Sequence, residues 1–113
     1  MHELSIVEGI LGAVLPQVEK HGGGKIISIK LMMGEMAGII PSCVEEYFGL
    51  MSTGTIAEGA RLDMVKVPVA IRCNDCGYEG GVERHRYICP SCGSANFRIT
   101  AGRDFYIDCV EVE

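Results

Sequence analysis

The sequence predicts an α/β protein of the α+β type, with two helices packed on a small three-stranded sheet and a cysteine-rich lobe inserted before the last strand. Two segments place apolar residues at helical spacing, and three others have the composition of strands. Two CxxC pairs lie between the second and third of these strands. A chain of 113 residues can form one modest hydrophobic core, so a small inserted lobe needs a further source of stability.

The first predicted element is an amphipathic helix. Apolar residues from Leu4 to Val18 recur near positions i, i+3, i+4 and i+7, as in a helix that buries one face. Pro16 inside this pattern predicts a kink or the end of the regular helix, and the glycines at 22–24 stop it. Residues 25–33 alternate in polarity and are rich in Ile, which predicts a half-buried strand.

A second helix and two more strands follow. Pro41 suits the first turn of a helix, and the apolar spacing after it continues until a predicted end near Gly54. Residues 62–72, interrupted by Pro68, and residues 104–112 predict strands. The order helix, strand, helix, strand, insertion, strand places the lobe on two strand ends.

This order divides the chain into two predicted domains. Residues 1–71 and 99–113 form the α/β domain, and residues 72–98 form the inserted domain. The insertion contains both CxxC pairs.

Composition and charge argue against several classes of function. The net charge of −5 argues against a surface that neutralises nucleic-acid phosphates. No apolar run approaches 18 residues, so we expect no membrane insertion. The first fifteen residues contain no Lys or Arg and no signal cleavage site. We therefore expect a cytoplasmic protein, in which paired CxxC motifs are metal ligands and not disulfides.

The four cysteines have the spacing of a zinc ribbon. Each CxxC pair forms a tight turn, and twelve residues separate the two pairs. Gly77 and Gly93 follow the pairs and can adopt positive φ. Four thiolates close the coordination sphere of Zn²⁺, so the predicted site is structural. The predicted zinc ligands are Cys73, Cys76, Cys89 and Cys92.

Other interpretations of this lobe remain open from the residues. Iron also accepts four tetrahedral thiolates, so the lobe could be a rubredoxin-like redox centre. A zinc-ribbon adaptor protein and a nucleic-acid-binding ribbon are further alternatives. His85, between the two pairs, could be a neighbour of the metal site, an alternate ligand or a solvated loop residue.

The N-terminal sequence Met-His-Glu suggests a second metal site. The α-amine of Met1, the first backbone amide and the imidazole of His2 can chelate one ion in fused rings, and such a nitrogen-rich set suits Ni²⁺ or Cu²⁺. Glu3 adds a nearby carboxylate. The alternative is that His2 is a frayed, solvated terminal residue, and spacing alone does not decide between the two.

Several motifs together resemble the hydrogenase nickel-incorporation protein family (HypA/HybF). They are the opening MHELSIVEGI, the middle segment GTIAEGARLDM, the CxxC pairs with CPSCGS, and the ending EVE, so the resemblance spans nearly the full length. It implies a nickel metallochaperone in which His2 is the essential nickel ligand, Met1 supplies its amine and Glu3 is an auxiliary. The four cysteines would then hold structural zinc.

The resemblance also implies partners and a mechanism. Ni²⁺ would be cargo for [NiFe]-hydrogenase maturation, passed by ligand exchange and not by catalysis, so we expect no enzyme. The implied partners are the maturation GTPase HypB and the hydrogenase large-subunit precursor. The chain has no GxxxxGK[ST] motif, so nucleotide hydrolysis would belong to a partner.

Overall fold

The computed structural model describes residues 2–83 and 85–113 and confirms the predicted α+β class. Its strands form two three-stranded sheets, with the orders β2-β1-β6 and β4-β3-β5. A short 3₁₀ turn, Glu35–Ala37, follows β1. The elements are α1 Glu3–Lys20, β1 Ile26–Gly34, α2 Pro41–Met51, β2 Arg61–Val67, β3 Ala70–Cys73, β4 Glu79–Gly81, β5 Phe97–Ala101 and β6 Phe105–Val112.

The chain divides into two compact units. The first contains Met1–Met32, Gly38–Val65 and Tyr106–Glu113, and the second contains Met33–Ala37 and Lys66–Phe105. In the first unit, α1 and α2 contact each other and together with β1 supply most of the buried apolar side chains. The sequence-based boundary of the inserted domain, 72–98, stays a prediction.

The α1 helix continues through Pro16 to Lys20, so the proline does not end it. Proline lacks the N–H that would bond the carbonyl four residues earlier, but the helix keeps its buried face on both sides of this gap, with Val14 and Val18 buried. The helix ends just before the glycines at 22–24, as the sequence predicts. Gly22 has φ +107°, and the Gly23 N–H donates to the Val18 carbonyl at 2.9 Å.

Helix α2 begins at Pro41, as predicted, but ends at Met51 instead of near Gly54. Residues 52–60 form a series of turns instead of a last helical turn. The Thr55 hydroxyl accounts for part of this difference, because it donates to the Ser52 carbonyl at 2.6 Å and accepts from the Ala57 N–H at 3.1 Å. A hydroxyl that bonds nearby backbone groups in this way competes with the helix.

The predicted strand 62–72 is two strands, because β2 ends at Val67 and β3 begins at Ala70. Pro68 between them has no N–H to donate to a ladder. The next N–H, that of Val69, donates to the Glu35 carboxylate at 3.1 Å. A side chain thus takes the place of a ladder partner at this break.

The last strand, β6, closes the first sheet beside β1. Lys30 and Asp108 form an ion pair across these strands at 3.9 Å, and the Glu113 N–H donates to the Lys25 carbonyl at 2.9 Å. Among the residues that the structure describes, no helix is both long enough and apolar enough to cross a membrane.

Gly34 lets two backbone segments of the second unit approach closely. A Cβ on Gly34 would lie 2.5 Å from the carbonyl oxygens of both Asp104 and Gly102. The short distance between these backbone segments also allows a hydrogen bond, which the Gly34 N–H donates to the Asp104 carbonyl at 2.9 Å. There is no space for a side chain at position 34.

We expect Gly34→Ala to lower the free energy of unfolding by about 1–3 kcal/mol, because the new methyl group overpacks two backbone carbonyls. Gly9→Ala is the matched control, since a Cβ at that helical position meets no atom within 4 Å. It should raise stability by roughly 0.5–1 kcal/mol. The midpoint of urea denaturation measures both changes, and effects of the same sign would contradict the close approach at Gly34.

Candidate metal centres

The first CxxC pair lies on a tight turn that follows β3. The Gly77 N–H donates to the Cys73 carbonyl at 3.1 Å, and the Cys73 N–H donates to the Tyr78 carbonyl at 2.8 Å. Gly77 has φ +79°, a conformation that side-chain-bearing residues rarely adopt. We call this turn, residues 73–78, the first knuckle.

The second CxxC pair repeats the same turn, and we call residues 89–94 the second knuckle. The Gly93 N–H donates to the Cys89 carbonyl at 2.8 Å, and the Cys89 N–H donates to the Ser94 carbonyl at 2.9 Å. Gly93 has φ +75°. The two knuckles therefore share one backbone hydrogen-bonding pattern.

The structure brings the four predicted cysteines together. The sulfur atoms of Cys73 and Cys92 are 3.6 Å apart, those of Cys76 and Cys89 are also 3.6 Å apart, and all four lie within 4.8 Å of one another. A disulfide would need about 2.05 Å. A Zn–S distance of about 2.3 Å in a regular tetrahedron gives sulfur–sulfur distances of about 3.8 Å, so the site fits zinc.

Each knuckle contributes one buried and one exposed cysteine. Cys73 and Cys89 are 2% and 1% exposed and belong to the small core of the lobe with Val69 and Ile71. Cys76 and Cys92 are exposed. A metal bound to all four would connect the core of the lobe to its surface turns.

The electrostatics of Cys89 and Cys92 are consistent with a bound cation. Burial raises the pKa of Cys89, but hydrogen bonds from the backbone amides of Cys92 and Ser91, with contributions from neighbouring thiols, lower it to about 7. The Ser94 amide lowers the pKa of Cys92, but desolvation and the other three thiols raise it to about 12. A bound metal cation would stabilise the thiolate form of Cys89 and Cys92 against their mutual repulsion.

His85 is not part of the cluster. Within residues 2–83 and 85–113, the four cysteines are the only group of three or more Cys, His, Asp or Glu side chains close enough to share a metal ion. His85 has φ +63° and is exposed in the turn between the knuckles, next to the Arg86–Glu83 ion pair. The interpretation of His85 as a solvated loop residue fits this placement.

The proposed nickel residues lie at the N-terminal end of α1. His2 is exposed at the N-cap position, its carbonyl accepts the Ile6 N–H at 3.2 Å, and its side chain makes no capping hydrogen bond. The Glu3 carboxylate accepts the Ile40 N–H at 3.4 Å, which joins the starts of α1 and α2. Met1 lies outside the described residues.

The contact with Ile40 was not predicted from the sequence. It uses a backbone N–H, which every residue except proline carries, so no residue type marks it. Ile40 is the N-cap of α2 and has no side-chain oxygen to satisfy that end of the helix. The absence of a capping residue before Pro41 was the one sequence feature that could have indicated this contact.

Comparison with known proteins gives one consistent family. Residues 1–112 match the family model described as hydrogenase/urease nickel incorporation, metallochaperone, HypA. The hydrogenase maturation factor HypA of Dehalococcoides mccartyi is 36% identical over 113 residues, which cover 100% of this chain and 95% of that protein. The hydrogenase maturation factor HypA of Moorella thermoacetica is also 36% identical, with 100% of both chains covered.

Two solved structures share the fold. A solution structure of a HypA protein superposes with a TM-score of 0.77 at 25% identity, covering 100% of this chain and 97% of that one. The solution structure of the nickel metallochaperone HypA from Helicobacter pylori gives a TM-score of 0.72 at 24% identity and covers 99% of this chain and 97% of that one.

We expect the purified protein to be colourless with one zinc ion per chain, and Cys76→Ser to lose this zinc while Cys109→Ser keeps it. Removing the metal should expose the amides of β3–β5 to hydrogen exchange at least about tenfold faster, because the core of the lobe is small. The amides of α1 should keep their protection. Metal analysis and hydrogen-exchange mass spectrometry measure these effects, and a red, iron-containing protein would contradict zinc.

Proposed function

Because this chain belongs to the HypA family of nickel-incorporation metallochaperones, we propose that it binds Ni²⁺ at its N-terminal Met-His-Glu segment and delivers it during [NiFe]-hydrogenase maturation. The observation that carries the nickel site is the placement of His2. Its imidazole is exposed at the start of α1 and is not used to cap the helix. An incoming ion can therefore bind the ring without breaking a capping bond.

The backbone at this end is also suited to metal binding. The first N–H groups of a helix have no intrahelical acceptor. The N–H groups of His2 and Glu3 occupy these positions, since the first hydrogen bond of α1 runs from Ile6 back to the His2 carbonyl. A metal that replaces the His2 amide proton would cost the helix no hydrogen bond. The α-amine of Met1, this amide and the imidazole would supply three nitrogen donors.

Glu3 has the auxiliary role in this proposal. One of its oxygens accepts the Ile40 N–H, so the side chain is held beside His2 at the junction of the two helix starts. Its negative charge offsets the partial positive charge of both helix N-termini, which would otherwise disfavour a cation. Glu3 would support nickel through this charge and through its fixed position.

The four cysteines would hold zinc as a structural ion. The four sulfurs lie close enough to bind one ion, and four thiolates would fill a tetrahedral coordination sphere with no open position for a substrate, so we assign them no part in carrying nickel. Their role would be to stabilise the fold of the lobe.

Delivery would proceed by ligand exchange in the cytoplasm. Nitrogen donors must be deprotonated to bind nickel, so protonation or the approach of a partner's ligands would release the ion. The GTPase HypB is the proposed partner that couples nucleotide hydrolysis to this step, and the hydrogenase large-subunit precursor is the proposed recipient. The names of the relatives, hydrogenase maturation factors, support this assignment.

We expect the untagged, zinc-loaded protein to bind about one Ni²⁺ per chain, and His2→Ala to lose this binding while keeping its zinc. His21→Ala is the matched control, because His21 is an exposed histidine at the other end of α1. An N-terminal tag must be absent, since it would place the amine in a peptide bond. Calorimetric titration measures the binding, and equal binding by wild type and His2→Ala would refute the site.

We expect Glu3→Ala to weaken nickel binding by about tenfold, and Glu3→Gln to weaken it less. Glutamine keeps an oxygen that can accept the Ile40 N–H but lacks the charge, whereas alanine lacks both. The same titration ranks the two variants. Wild-type affinity in Glu3→Ala would remove Glu3 from the site, and equal losses in both variants would assign its effect to charge alone.

A further inference from the structure

Four polar residues form a hydrogen-bonded cluster that joins the two knuckles, and we call it the knuckle clasp. The Asp75 carboxylate accepts hydrogen bonds from the Ser94 hydroxyl and from the Asn96 side-chain amide, the latter at 3.2 Å. The Ser94 hydroxyl oxygen accepts the Asn96 N–H at 3.0 Å. The Asn74 side-chain amide donates to the Asn96 side-chain oxygen at 3.1 Å, and the Asn74 N–H donates to the Asn96 carbonyl at 3.0 Å.

Two residues of the clasp lie next to the predicted metal ligands in the sequence. Asp75 lies between the two cysteines of the first knuckle, and Ser94 lies two residues after Cys92 of the second. The four sulfurs also pair across the knuckles, as Cys73 with Cys92 and Cys76 with Cys89. A knuckle that swings away to release its sulfurs must therefore break the clasp as well as the metal bonds.

We infer that Asp75 is a positioning residue that slows metal exchange at the four cysteines. Hydrogen bonds to a carboxylate are stronger than those between neutral groups, and Asp75 accepts two of them from the far side of the site. Residues that orient metal ligands from outside the coordination shell commonly affect metal binding by about 10–100-fold. Asp75 would act in this way through Ser94 and Asn96.

This role matters for a nickel carrier, and this part of the inference rests on the proposed function. The protein would meet Ni²⁺ as cargo while holding a set of four thiolates, and metal selectivity at a protein site does not follow from raw affinity alone. A slow exchange rate at the cysteines keeps cargo nickel from replacing zinc. The clasp would thus direct nickel to the N-terminal site.

A purely electrostatic role for Asp75 makes a different prediction. A carboxylate near the metal centre favours any bound cation by its charge, whether or not it bonds the second knuckle. Ser94→Ala leaves this charge in place and removes the two hydrogen bonds of the Ser94 hydroxyl, the one to Asp75 and the one from the Asn96 N–H. The two variants Asp75→Ala and Ser94→Ala therefore separate the two explanations.

The test measures the rate at which the zinc-loaded full chain transfers zinc to an excess of a chromophoric chelator at neutral pH. We expect Asp75→Ala and Ser94→Ala each to accelerate release by about tenfold. The double variant should be little faster than the faster single variant, because both remove the same contact. Glu83→Ala is the control, since it removes an exposed lobe carboxylate whose ion pair with Arg86 is local.

Release rates in both variants equal to that of Glu83→Ala would overturn the inference, as would acceleration in Asp75→Ala alone. If Asp75→Ala cannot be purified with zinc, Ser94→Ala decides the question, because it loses only one hydroxyl. A second measurement adds excess Ni²⁺ to the zinc-loaded protein, and the variants should show sulfur-to-nickel absorption bands sooner than wild type. The chelator measurement uses no nickel, so its result tests the role of Asp75 even if the N-terminal site binds no nickel.

Discussion

The convergence of four sulfur atoms is the constraint on which the inserted lobe depends. Among the described residues, the buried apolar cluster of this region consists of Val69, Ile71, Cys73 and Cys89, so half of the cluster is made of cysteines of the candidate metal site. A core this small supplies little stability on its own, and small folds of this kind usually need a metal ion or another staple. A shared ion would connect this cluster to both knuckles, whose backbone hydrogen bonds already hold the four sulfurs close together.

The cysteine cluster and the proposed nickel segment differ in the way that their proposed roles require. The cysteine site is soft in its ligands, closed in geometry and supported by hydrogen bonds from several directions. The proposed nickel segment offers nitrogen donors and lies at an exposed helix end, where the Glu3 carboxylate accepts the Ile40 N–H. A resident ion needs the first arrangement, whereas a cargo ion that must leave needs the second.

The fold and the cysteine site could be predicted because local patterns determine them. The spacing of apolar residues predicted both helices, and the CxxC spacing with the following glycines predicted the two knuckles. One departure was local, since the Thr55 hydroxyl bonds nearby backbone groups just after α2, and others arose where distant residues decide the outcome. The break between β2 and β3 depends on Pro68, which was noted, but also on Glu35, which accepts the Val69 N–H from a distant part of the sequence. The contact of Glu3 with Ile40 is likewise non-local.

The unequal exposure of the cysteines bears on how the protein would respond to oxidative damage. Cys76 and Cys92 face solvent, whereas Cys73 and Cys89 are buried. Peroxide and alkylating agents react with accessible thiolates, so they would meet one sulfur on each knuckle first. Oxidation of either would remove a ligand and release the ion while the buried pair is still reduced. The lobe would then lose its fold by zinc ejection, before the chemistry of the N-terminal segment had changed.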